Sequence, residues 1–268
     1  MQIPSSLPRA LLALLLAAVG TLVAAQGTAP IPSVVVPYVR DPVDKSYRKM
    51  IKGMDRFERE HALAPGASLR FRLLPRRPGT RMEGITLRIA GDTLSIPVKV
   101  EADNSFVLER NAQAYEQDAA VVANRKTDSM TWRVEFRSPG LAPGTRRLGD
   151  LRLECRVGMD AGLISNSAPI FGWLSNLLTD TDKVCNSPDG NYLFFADRPI
   201  FGVTLRHGET RMDLPFRLLY APGNQTPDTR PFCDCEMMLD RSFYAPIWDA
   251  RWPDDTILEF DYMDEAPR

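Results

Sequence analysis

Between Ser68 and Val157 apolar side chains recur at every second position, and this alternation constrains the fold more than any other feature of the chain. Leu69, Phe71 and Leu73 alternate with Arg70 and Arg72, and Ile85, Leu87 and Ile89 alternate with Thr86 and Arg88. After a turn at Gly91 and Asp92 the series continues through Leu94, Ile96, Val98 and Val100. A second turn at Asp103 and Asn104 leads to Phe106 and Leu108, and later come Trp132, Val134 and Phe136. Leu151, Leu153, Cys155 and Val157 then alternate with Arg152, Glu154 and Arg156. Neighbouring side chains of a strand point to opposite faces, so each run predicts a strand with one buried and one wetted side. Six or seven such strands, punctuated by turn residues, predict a two-sheet antiparallel sandwich over 66–158.

The hairpin ending in Asp103–Leu108 resembles those of immunoglobulin-like and transthyretin-like sandwiches. That resemblance covers a short stretch and implies a fold rather than a function. Ahead of it, 26–65 reads as an extended Pro-containing lead-in followed by an amphipathic helix. Asp41 suits the N-cap, Pro42 the first helical position and Asp44 the first turn. Val43, Tyr47, Met50, Ile51, Met54 and Phe57 form one apolar stripe. Residues 159–190 interrupt the alternation and include a short, very apolar helix or turn at 168–178. Strand patterns return at 192–195, 200–205, 212–218 and 257–262, predicting a second, smaller β-rich unit over 191–268. The expected class is mainly β.

The first 25 residues read as a signal peptide. Arg9 is the positive end, and the apolar run Ala10–Ala25 spans 16 residues. That falls short of the roughly 20 needed to cross a bilayer, and the small residues of Val23-Ala24-Ala25 predict cleavage between Ala25 and Gln26. The expected product is soluble, secreted or periplasmic, without stable membrane insertion. Four cysteines, Cys155, Cys185, Cys233 and Cys235, then predict two disulfides. Cysteines one residue apart on an extended strand point the same way. Cys233 and Cys235 are therefore expected to reach back separately to Cys155 and Cys185. The spacing does not match the paired Cys or His ligands of structural zinc, so no metal or cofactor is expected.

With 33 basic against 34 acidic residues, no chain-wide field exists to hold nucleic acid. The balance is uneven along the chain: 40–82 carries 12 basic and 5 acidic residues, and 234–268 carries 3 basic and 10 acidic ones. This either marks solvated faces or steers a partner. No Gly-x-Ser-x-Gly or His-Glu-x-x-His motif occurs, and Ser46-x-x-Lys49 lacks its companion Lys-Thr-Gly. Histidines are confined to His61 and His207. The oxygen-rich stretch from Asp180 to Asn191 breaks EF-hand spacing at Val184 and reads as turns. Trp248 and Trp252 beside Asp254 and Asp255 form the most suggestive cluster, since aromatic platforms next to carboxylates suit sugar rings. Large aromatics also simply fill cores. The expectation is a non-catalytic exported binding or scaffolding module with a protein or glycan partner. The alternatives are a carbohydrate-active hydrolase using the C-terminal carboxylates and a subunit of a larger envelope assembly.

Overall fold

Helix α1 (Tyr47–Arg59) starts where a short strand stops. Lys45 and Ser46 (β1) pair with Val121 and Ala120, which keeps the backbone extended up to Ser46. The Ser46 hydroxyl then accepts from the Lys49 amide, so Ser46, not Asp41, is the N-cap. The expected helix start is thus corrected: edge pairing holds Asp44 outside the first turn. The predicted stripe is real, with Tyr47, Met50, Ile51 and Phe57 buried. The computed structural model describes residues 44–76, 78–125, 130–163, 180–188, 192–220 and 237–263. The leader, the lead-in with Asp41, the apolar segment 168–178, and Cys233 and Cys235 all lie outside these residues.

The architecture is mainly β, with four antiparallel sheets among the described residues. Strands β2 (Arg70–Pro75), β3 (Leu87–Ala90), β4 (Ser95–Val98), β5 (Ser105–Phe106) and β7 (Met130–Glu135) fall on the alternating runs. After helix α2 (Ala112–Glu116) comes β6 (Ala120–Ala123), which no alternation announces because three of its four residues are buried. One sheet runs β1-β6-β3-β4, and a second runs β5-β2-β7. In the second, Phe71 faces Val134 and Phe106, and Leu73 faces Trp132. The Phe106 ring lies 5.6 Å from Phe71 and 5.8 Å from Trp132, joining the strands through aromatic contacts. A third sheet takes β8 (Thr145–Arg147), β10 (Ile200–His207), β11 (Thr210–Asp213) and β13 (Ile257–Tyr262) in the order β11-β10-β13-β8. A two-stranded ladder joins β9 (Phe194–Phe195) to β12 (Ser242–Phe243).

The alternation at 151–157 misleads. These residues belong to helix α3 (Leu148–Asp160), not to a strand. Two helical stripes are superimposed there. Leu153, Val157 and Ala161 pack into one core with α1 and the first two sheets. Leu148, Leu151, Cys155 and Met159 pack into a second core with Phe194, Leu205, Phe243, Trp252 and Leu258. A helix buried on two sides places apolar residues at 148, 151, 153, 155, 157 and 159, which imitates a period of two. Asp150 in its first turn is buried and accepts from the Ser138 amide (3.0 Å) and hydroxyl (2.6 Å).

Helix α4 (Thr181–Asn186), capped by Asp180, brings Cys185 to α3, and the disulfide is Cys155–Cys185 with Cα atoms 5.9 Å apart. This corrects the expected links from Cys233 and Cys235 to those two residues. Cys155 and Cys185 meet because facing helices carry them, a juxtaposition invisible in linear spacing. Among the described residues no helix is long and apolar enough to cross a membrane.

Ion pairs lock α1 to α3. The Asp160 side chain is 1% exposed and accepts from Arg56 Nε at 2.8 Å, with Lys52 Nζ at 3.2 Å and the Thr181 hydroxyl at 2.9 Å. Glu60 bridges Arg56 (2.6 Å) and Arg156 (2.8 Å). Burial alone would raise both carboxyls. The hydrogen bonds outweigh it and hold Asp160 and Glu60 below the usual carboxylate range. Their contribution is therefore complete above the unfolded-state values of about 4 and is lost as pH falls through the lower folded-state values. Thermal melts of Asp160→Asn are expected to show a loss of about 3 kcal/mol at pH 7 and a shallower acid decline than the unaltered protein. An acid limb of unchanged steepness would remove Asp160 from that role.

Candidate functional site

The polar faces of three sheets meet at an arginine-lined cleft of about 300 Å³. Strand β2 supplies Arg72, which stands opposite Arg133 of β7. Residues 133, 135 and 137 share one face through the two-residue repeat, bringing Arg133, Glu135 and Arg137 to the cleft. Strand β8 adds Arg146 and helix α3 adds Glu154. The end of β9 and the residues after it supply Phe195, Ala196 and Asp197, and the short turn before β12 supplies Met238 and Arg241. Alternation predicts a wetted face here. The structure instead leaves Arg133 and Arg146 only 5% exposed each.

The cleft's carboxylates are already engaged. Glu154 takes Arg146 at 2.8 Å, Glu135 takes Arg72 at 2.9 Å, and Asp197 takes Arg137. From outside, Asp103 also holds Arg72, at 2.5 Å. The Arg133 guanidinium lies 4.3 Å from the Phe195 ring centroid and donates to the Leu193 carbonyl at 3.2 Å. Arg241 donates to the Asp197 carbonyl at 2.9 Å. Burial pushes the Glu135 carboxyl above its ordinary range, against the pull of Arg72 and Arg137.

Yet donors are left over. Among the described residues the buried Nε atoms of Arg72, Arg146 and Arg241 have no hydrogen-bond partner, Asp240 standing 3.9 Å from that of Arg241. A buried donor without an acceptor costs about 1–3 kcal/mol, a cost these guanidinium groups carry beside the pairing of their terminal nitrogens. Guanidinium groups keep their protons at neutral pH, so this arrangement suits anion binding rather than proton transfer. Among the described residues no group of three or more His, Cys, Asp or Glu side chains could hold a metal.

The C-terminal cluster is placed differently. Trp252 is buried in the second core. Asp254 accepts from Arg152 at 2.5 Å, and its carbonyl accepts from the Gly149 amide at 2.9 Å. Arg152 also donates to the carbonyls of Ile247, Asp249 and Trp252, so one guanidinium holds this whole loop on α3. Asp255 lies 3.4 Å from His207 at the surface. Trp248, 41% exposed, lines a second cavity of about 310 Å³ with Tyr244, Ile247, Leu218 and Arg217. Sequence reasoning missed Arg133, Arg137, Arg146 and Arg241. For Arg133 and Arg146 the linear signal is charge on the polar side of a strand, which is indistinguishable from an ordinary solvated face until another sheet covers it. No protein family model matches the chain, and no curated protein or solved structure is similar to it.

Proposed function

We propose that the protein is an exported, non-catalytic binding module that holds an anionic ligand in the arginine cleft. One observation carries the reading: five arginines, Arg72, Arg133, Arg137, Arg146 and Arg241, line a single cleft of about 300 Å³. Export is supported by the signal-like leader and by a disulfide, which persists in an oxidising compartment. The β-rich halves would act as a sandwich-type scaffold that keeps the arginines in place. Engagement of Asp254 by Arg152 supports a positional role for that carboxylate over acid-base work at a glycosidic bond.

Acetate tests the reading. At equal ionic strength, replacing chloride by acetate at ten times its Kd adds about 1.4 kcal/mol of linkage stabilisation and raises the melting temperature by about 3 °C. The double variant Arg137→Gln/Arg241→Gln is expected to lose that increment. Equal increments in both proteins would overturn the assignment.

A further inference from the structure

A sheet edge is a row of backbone donors and acceptors that another strand can complete, and folds block such edges with proline, brevity or cover. Among the described residues nearly every edge is blocked in one of these ways. Strand β4 carries Pro97, which has no N–H to offer. Strands β1, β5, β9 and β12 are two residues long, and β7 is buried along almost its whole length. Strand β8 is three residues long, keeps Arg146 buried and runs directly into α3. Strand β11 is the exception. It lies at the edge of its sheet, contains no proline, and leaves Thr210, Arg211 and Asp213 exposed.

The ladder shows which backbone groups face outward. The Leu214 amide donates to the Val203 carbonyl at 2.8 Å, in the same register that sets Met212 opposite Leu205. Hydrogen-bonded pairs alternate along an antiparallel ladder, so Met212 turns its N–H and C=O to β10, while Arg211 and Asp213 turn theirs outward. A second copy related by a twofold axis at Met212 therefore sets each Arg211 opposite the other copy's Asp213, with both backbones in bonding position and both side chains on one face. Sliding the pairing by two residues sets Arg211 against Arg211 or Asp213 against Asp213, so charge selects the first register. The two side chains are 65% and 72% exposed, and Thr204 occupies only Oδ1 of Asp213, at 2.6 Å.

We infer that two copies of this chain associate through β11, joining their β11-β10-β13-β8 sheets into one continuous antiparallel sheet across a twofold axis. The edge is its own complement in backbone and in charge, as a twofold interface requires. None of these residues lines the arginine cleft, so association stands or falls apart from anion binding.

Sedimentation equilibrium of the full chain tests the inference, at low salt and at concentrations rising to about 1 mM. A reversible monomer–dimer equilibrium is expected. Arg211→Asp alone, or Asp213→Arg alone, turns both cross-strand pairs into like-charge pairs and should weaken the dimer about tenfold or more. An equimolar mixture of the two variants sets opposite charges face to face again and should regain the dimer. A folding defect in either variant would not be repaired by mixing, so recovery reports direct pairing of the two strands. A chain that stays monomeric throughout overturns the inference. So does a dimer that either substitution leaves unweakened, or one that mixing fails to restore.

Discussion

Gly149→Ala is expected to cost the protein more than about 3 kcal/mol and lower its melting temperature by about 10 °C, read by circular dichroism. Gly149 is the second residue of α3, and its amide donates to the Asp254 carbonyl at 2.9 Å. A methyl group added there would stand 2.3 Å from the Leu63 carbonyl oxygen and 3.0 Å from that of Asp254. Both obstacles are backbone, and neither can rotate away as a side chain would. Moving Asp254 would also disturb its bond to Arg152, and with it the loop that buries Trp252. Gly202→Ala is the control, because nothing lies within 4 Å of the added carbon. Equal effects at the two positions would remove the close-approach explanation.

Loss of the disulfide is the second large effect. Cys155 and Cys185 are separated by 30 residues, and closing a loop of that length in the unfolded chain removes about 3.5 kcal/mol of conformational freedom on the chain-entropy model. The double variant Cys155→Ala/Cys185→Ala also leaves a cavity where both side chains were buried. It is expected to melt about 10 °C below the unaltered chain. Full burial further shields the bridge, so mild reductant should leave the native protein oxidised while preventing recovery after denaturation. A variant that melts with the parent would show that α4 is held by other contacts.

Much of the β structure was legible because Phe71, Leu73, Ile89, Trp132 and Leu258 each have one buried face opposite a polar neighbour. Helix α1 was legible for the same reason at a longer period. Legibility failed where a segment is covered on both sides. Ala120–Ala123 shows no alternation, and α3 shows a false one made from two stripes. The cleft was illegible for a related reason. Arg133 and Arg146 look in the sequence like any charges on the outer side of a strand, and only the tertiary arrangement turns that side inward. By contrast, the Trp and Asp residues near the C-terminus were conspicuous by composition. Trp252 and Asp254 turn out to be bound up with the loop that Arg152 fastens.

Because α3 lends Leu153 and Val157 to one neighbour and Leu148, Leu151 and Met159 to the other, it behaves as a party wall between two rooms. A gene fusion or truncation that kept only one room would leave half of that wall bare and apolar in water. The two halves are therefore expected to be stable only together, and a variant that exchanged either one would have to carry the helix along.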